Sequence, residues 1–301
     1  MRTVLFVTAI LVSLVACSRS ESPANSEAVE APGAVADAVY TNGNIHTAQE
    51  HWSIAIIGTG DMGDSLGPRL AELGHKVTYG SRDPERKTVR DLVARTGSGT
   101  TATSQRAAVV DADIVILAVP WPPMEQVAQN LGDLSDKIVI DISLPLRQAE
   151  DGYMESMVET SSAEMIRKWN PGARVVKTVL ASSIVIDDPT IMGRPISTFI
   201  ASDDRRAKEV VAAIAHELGL IPLDAGPLRH ARDIEALVKL WYVPVLQRRP
   251  VVWEMAVQPT NFWPCIWQDD WREPVGDREN LADLPSPEAD LPPCSEWSSP
   301  W

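Results

Sequence analysis

The chain has 301 residues, a formal net charge of −14 and a pI near 4.8. That balance argues against a nucleic-acid partner, because phosphate contacts need a basic surface. About half of the charge sits near the carboxyl end, where the acids from Asp269 to Glu296 face only Arg272 and Arg278, so the part that folds is less acidic than the whole.

Met1-Arg2-Thr3 followed by the apolar run from Val4 to Val15 is too short to span a bilayer and reads as a secretory signal. The run ends on Leu14-Val15-Ala16-Cys17, similar to a lipoprotein box in which the cysteine is lipidated and becomes the mature first residue. An ordinary cleaved signal with an incidental cysteine is the alternative. The expectation for residues 1–17 is therefore export, with the chain held at the periplasmic face of a membrane through a lipid on Cys17 and by nothing else. Ser18, which is not the aspartate of inner-membrane retention, points to the outer membrane. Were the start codon misassigned, the protein would stay in the cytoplasm. Residues 18–50 are rich in Ser, Ala, Glu, Pro and Gly, cannot bury enough surface to offset ordering entropy, and read as a flexible linker.

Ser53-Ile-Ala-Ile-Ile57 is an apolar run that stops on Gly58-Thr59-Gly60-Asp61-Met62-Gly63. With a strand before it, a helix after it and a second strand from Lys76, this is the dinucleotide fingerprint in context. Gly58 allows the tight turn, Gly60 lets the backbone approach a pyrophosphate, and Gly63 lets helix and strand pack closely. Met62, Leu66, Leu70 and Leu73 form one helix face, Gly74 ends the helix, and Pro68 inside it predicts a kink or an early break.

The second strand runs into Ser81-Arg82, with Arg86 and Lys87 one turn on. Where proteins that prefer NAD place an acid for the ribose, a hydroxyl and cations here await a 2′-phosphate, favouring NADP over NAD. A solvated charge run at a helix start is the plainer reading, and a small shift in the turn would bring Asp83 towards the ribose. Asp113-Ile-Val-Ile-Leu-Ala-Val119 is continuously apolar, as in a parallel strand covered on both faces, and ends on Pro120-Trp121-Pro122-Pro123. Val119, Pro120 and Trp121 are expected near the nicotinamide, with a packed aromatic as the alternative for Trp121. Lys137 to Ile142 forms another strand. From Ser161 onward a helix, the strands Arg174–Val179 and Ile196–Ile200, the helix Asp203–Leu218, the strand Leu220–Leu223 and a last helix follow. This alternation predicts an α/β fold: a Rossmann-like, doubly wound parallel sheet with right-handed crossovers, residues 51–150 forming the dinucleotide-binding domain. Residues 151–245 would be the second half of the sheet and an acceptor-side lobe, a small α/β extension, and 246–301 an irregular tail rich in Trp, Pro and acids.

Ile56 to Gly63, Gly80-Ser-Arg82, Ile116 to Trp121, Val175-Val-Lys177 and Asp224-Ala-Gly-Pro-Leu228 with Arg232 and Glu235 occur as five blocks in one order. Together they resemble the NADP-dependent oxidoreductases that act on the deazaflavin coenzyme F420 and the reductase domain of the STEAP metalloreductases. The same amino-terminal domain type occurs in pyrroline-5-carboxylate reductases. The resemblance implies that Thr59, Gly60, Asp61 and Met62 wrap the pyrophosphate, that Ser81, Arg82 and Arg86 hold the 2′-phosphate, and that Val119, Pro120 and Trp121 border the nicotinamide. It also implies direct hydride transfer between NADP(H) and a flavin or deazaflavin co-substrate, which needs alignment more than a general acid. Where the family reads Ala-Phe-Asn after the strand lysine, this chain has Thr178-Val179-Leu180, so an amide is replaced by an apolar side chain. His75, His216 and His230 have no partner spacing and read as structural, and no catalytic residue is assigned. Nothing has metal-ligand spacing.

In the tail, Trp253, Trp263, Trp267, Trp271, Trp297 and Trp301 alternate with prolines and acids. They either pack over the active-site edge, form a partner or membrane-interface surface, or hang as an appendage. Cys265 and Cys294 form a disulfide in one reading and stay free thiols in the other. Two functional readings follow. One is an NADP-dependent oxidoreductase moving hydride to or from a flavin-like, imine or carbonyl small-molecule acceptor, with the last helix as a homodimer surface. The other, prompted by an export signal on a chain built for a cytoplasmic cofactor, is a non-enzymatic lipoprotein using the fold as a ligand- or partner-binding module.

Overall fold

The computed structural model describes residues 51–246, apart from Ser98, and residues 254–257. The signal segment with Cys17, the linker up to residue 50 and the rest of the tail, with Cys265 and Cys294, lie outside them. In chain order the elements are β1 (Ser53–Ile57), α1 (Asp61–Glu72), β2 (Lys76–Ser81), α2 (Lys87–Thr96), β3 (Thr101–Ser104), α3 (Gln105–Ala108), β4 (Ile114–Leu117), α4 (Met124–Asn130) and β5 (Ile138–Asp141). A short hairpin of β6 (Leu146–Gln148) and β7 (Met154–Ser156) precedes α5 (Ser162–Trp169), β8 (Arg174–Thr178), α6 (Ser183–Asp187), β9 (Ser197–Ala201), α7 (Arg205–Glu217), β10 (Ile221–Asp224) and α8 (Ala231–Leu246).

Among the described residues one eight-stranded sheet runs in the order β10-β9-β8-β5-β4-β1-β2-β3. The chain winds outward from β1 to β3 and then returns to lay β4 on the other side of β1. That reversal opens a crevice beyond the carboxyl ends of β1 and β4, where open α/β sheets bind ligands. Strands β1, β4 and β5 are buried along nearly their whole length because helices cover both faces. One apolar cluster, with Ile54, Leu66, Tyr79 and Ile200, fills one face, and another, with Ala55, Leu117, Val139 and Ile166, fills the other.

Two expectations need correction. Of the kink or early break expected at Pro68, the break does not occur, since α1 continues to Glu72; the missing amide costs one intrahelical bond, and burial of Leu66 and Leu70 on the core face offsets it. The sheet is not wholly parallel either, because β9 pairs antiparallel with β8, Lys177 opposite Ala201 and Thr178 opposite Ile200. The intervening segment, with the five-residue α6 in it, ends at the same end of the sheet that β8 left. The chain therefore re-enters from the same edge, and α7 makes the crossover from β9 to its parallel neighbour β10. The β6–β7 hairpin was not expected. Three bonds tie the start of β9 to its neighbours: Ser197 N–H donates to the Met255 carbonyl at 2.8 Å, Val257 N–H donates to Ser197 Oγ at 2.9 Å, and Thr198 Oγ1 donates to the Val179 carbonyl at 2.5 Å.

Candidate active site

At the exit of β1, Gly58 has φ +121°, and a Cβ there would stand 2.2 Å from the Ala118 carbonyl oxygen. A Cβ on Gly63 would meet the Gly58 carbonyl oxygen, also at 2.2 Å. These two glycines exist to let strand exit, helix and β4 close on one another. Gly60 is different: it precedes α1 in extended geometry, and a Cβ there meets nothing within 4 Å. No side chain caps the helix at Gly60, so the amides of the first turn point outward with the positive end of the α1 dipole behind them.

A crevice of about 640 Å³ runs from this turn, lined by Gly60, Ser81, Arg82, Arg86, Val119 and Pro120 among others. Ser81 is buried, and its Oγ accepts the Asp83 amide at 3.1 Å, which fixes the turn after β2. Arg86 spans toward the glycine turn, its Nη2 3.5 Å from Thr59 Oγ1. Arg82 is exposed on the crevice wall and forms no ion pair among the described residues. Lys87 is turned away to Asp91, at 2.6 Å, and Asp83 lines the crevice beside the arginines. An uncapped helix start, an open Gly60 and two guanidinium groups fit a dinucleotide carrying an extra phosphate.

Three predicted site residues are placed differently from the rest, although Asp61 and Met62 still form the first turn of α1. Trp121 is a core residue, 9% exposed, its ring stacked on Trp169 with centroids 5.8 Å apart and planes 24° apart. The loop alternates there: Pro120 and Pro122 line the crevice while the indole, with the largest apolar surface of the loop, turns inward against α5. Asp61 and Met62 line a second cleft rather than the crevice, and the Asp61 carboxylate accepts the Ser183 hydroxyl at 2.9 Å. Two of the histidines make fold contacts: His75 Nδ1 accepts the Trp52 amide at 3.2 Å and Nε2 faces Glu217 at 3.1 Å, while His230 faces Asp233 at 2.8 Å.

The second cleft, about 470 Å³, opens beyond β5 and β8 and is walled by Ile142, Leu144, Leu180, Val238 and Trp241. Gly60 lines the first space and its neighbour Asp61 the second, so the two meet at the start of α1. Leu180 is buried at 2% exposure, and Ala181 after it has φ +49°, which turns the chain sharply out of β8.

Under this cleft lies a buried polar cluster that sequence reasoning missed. Lys177 Nζ stands 3.1 Å from Asp141 Oδ2, 3.2 Å from Glu235 Oε1 and 2.9 Å from Ser162 Oγ, and it also donates to the Ser143 carbonyl. Lys177, Asp141 and Ser162 are fully buried and Glu235 nearly so. Ser162 Oγ lies against both Asp141 and Glu235, yet a hydroxyl has one proton to give. A proton on Glu235 completes the set: Ser162 then donates to Asp141 and Glu235 donates to Ser162. Burial pushes the Glu235 carboxyl up from the usual range, against the pull of Lys177, in keeping with that arrangement. The cluster ties β5, β8, α5 and α8 together. Its signal in the sequence was a lone Asp and a lone Lys inside apolar strands, which pair directly across the sheet. Among the described residues no group of three or more His, Cys, Asp or Glu side chains is placed to hold a metal.

A family model described as NADP oxidoreductase, coenzyme F420-dependent, matches residues 53–145. The F420-dependent NADP reductase of Methanothermobacter thermautotrophicus is 30% identical over 204 residues, covering 62% of this chain and 86% of that protein. The chain belongs to this family of oxidoreductases. The match to the metalloreductase STEAP3 of Rattus norvegicus is 30% over 199 residues, 64% of this chain, and the chain spans 38% of that relative's length. A crystal structure of a proposed F420-dependent NADP reductase from Arthrobacter sp. FB24 superposes with a TM-score of 0.62 at 26% identity, over 69% of this chain and all of that one. As a member of the family, the chain is an NADP-dependent oxidoreductase with a Rossmann-like fold.

Proposed function

We propose that the crevice holds NADP(H), with the pyrophosphate on the first turn of α1 and the 2′-phosphate among Ser81, Arg82 and Arg86, and that the acceptor sits in the second cleft. NADP(H) supplies or takes up a hydride when bound. Val119 and Pro120 wall the nicotinamide side, Ile142 and Leu180 exclude water from the space between the two molecules, and Lys177 holds the strand ends that carry those walls. The observation that carries the reading is the meeting of two clefts at Gly60 and Asp61 over the strand exits. The acceptor is a deazaflavin such as the coenzyme F420 named for the relative, or a small imine or carbonyl compound.

Fluorescence titration of the protein with NADPH and NADH tests the cofactor. NADPH is expected to bind more tightly, and Arg82→Ala to weaken NADPH by about tenfold or more while leaving NADH nearly unchanged, since one charge-assisted phosphate contact is worth that much. Equal affinity for the two nucleotides in the parent protein would refute the 2′-phosphate role. We also propose a lipid on Cys17, and mass spectrometry of the native amino terminus reads it directly.

A further inference from the structure

We propose that the apolar face shared by α6 and the last turns of α8 is the seat of this chain's own carboxyl-terminal segment, with the tryptophans of residues 263–271 packed on it at the mouth of the second cleft. The described residues leave that face open. Ile184 on α6 is 60% exposed and Leu240 on α8 is 55% exposed. Trp241 and Tyr242, which wall the cleft together with Ile184, are only half-buried. One large apolar side chain in water is ordinary, but several gathered around one cleft mouth mark a surface that is covered by something. The pattern of α8 says the same. From Leu237 to Leu246 it has a single charged residue, Lys239. A helix apolar on nearly every side is one that is covered all round. The described fold covers only the side with Ile234 and Val238.

Where the chain goes next decides the occupant. After α8 the segment 254–257 returns to the start of β9, where the Met255 carbonyl accepts the Ser197 amide and the Val257 amide donates to Ser197 Oγ. The same segment reaches the second cleft through Glu254, so residues 258–301 set out from the edge of the open face. Trp263 is six residues beyond Val257, a reach of up to about 20 Å in extended chain. That is ample to cross a cleft of about 470 Å³. Trp263, Trp267 and Trp271 recur at every fourth residue, a spacing that sets all three indoles on one side of a helix. Asp270 falls beside them, opposite in charge to Lys239. Held on so short a tether, the segment meets the face at an effective concentration of about millimolar, far above that of a second copy in a micromolar solution. The seat does not depend on what either cleft binds.

The test is photo-crosslinking of the full chain, with no nucleotide or acceptor added, from Ile184→p-benzoylphenylalanine and separately from Leu240→p-benzoylphenylalanine. Both positions are more than half exposed, so the bulky probe displaces no core side chain. Peptide mass spectrometry is expected to find each probe joined to residues 262–273, in product that runs at the mass of one chain. Trp267→Ala combined with Trp271→Ala should lower that yield about tenfold, as for loss of two aromatic anchors, while Trp297→Ala leaves it unchanged. Product at twice the mass of one chain would make the occupant a second copy. Probes that join nothing in residues 258–301 would leave the face to an outside partner or a bilayer. Either result, or a yield indifferent to the double variant, overturns the proposal. Hydrogen exchange gives an independent reading in chains without the probe: deuterium uptake from Leu240 to Leu246 is expected to rise in the double variant, and equal uptake counts against a seat on α8.

Discussion

Glycines of one motif do separate work, and their geometry makes that separable by experiment. Gly58→Ala forces a side chain onto φ +121° and into the Ala118 carbonyl, so about 2–4 kcal/mol of stability should be lost, read by urea denaturation. Gly60→Ala meets nothing and sits in extended backbone, so stability should stay within about 0.5 kcal/mol while the methyl occupies space the phosphates need. A Gly60→Ala protein that binds NADPH as the parent does would show that the pyrophosphate lies elsewhere. The spacing of the motif made Gly58, Gly60 and Gly63 readable in the sequence, but not Gly67. A Cβ at Gly67 would stand 1.6 Å from the hydroxyl of Tyr79, which is held by Thr96 at 2.9 Å and whose pKa burial pushes up to about 12. Its requirement comes from a residue on a different element, which no local pattern announces.

Strand identity was legible because parallel strands covered on both faces are near-continuously apolar, as in Ile114–Leu117 and the first three residues of Ile138–Asp141. Direction was not, since the same apolar run serves a strand entering from either edge, and β9 enters from the unexpected one. The interruptions of those runs carried the information that was overlooked. Lys177→Met removes the cation from a site that keeps Asp141, and about 3–5 kcal/mol should be lost in denaturation, the usual cost of orphaning a buried charge. Glu235 gives the pH signature. Its folded pKa is raised, so between the ordinary glutamate range and that raised value the folded chain binds more protons than the unfolded one, and stability contributed by Glu235 falls as pH rises. Glu235→Gln should remove that fall, at the cost of the contacts that Oε1 accepts from the Ser162 amide and Lys177, so the gap between the urea midpoints of parent and variant should narrow as pH increases through the window. Parallel midpoint curves would mean that Glu235 is ionised in the fold. Asp204 acts with the opposite sign: the Arg174 hydrogen bond holds its carboxyl below the usual range, so its contribution is present above that range and is lost on acidification in both proteins.

The molecule divides its chemistry along the sheet. The half built on β1 to β4 has the glycine turn and the arginines, all written in contiguous motifs and therefore legible. The half built on β5, β8 and β9 assembles its cleft from Ile142, Leu180, Trp241 and Glu254, which are far apart in sequence and brought together by the reversal of β9 and by the segment at 254–257. If that segment positions the acceptor side and leaves the cofactor side alone, Ser197→Ala should uncouple them. The substitution deletes the acceptor of the Val257 amide at a position 3% exposed, for about 1 kcal/mol of stability. Deuterium uptake at the Val257 amide should accelerate, affinity for a small-molecule acceptor in the second cleft should fall because the segment that helps wall it is no longer held, and NADPH affinity should remain that of the parent. Loss of NADPH binding together with the acceptor would instead make the two clefts one cooperative unit, with β9 bracing both.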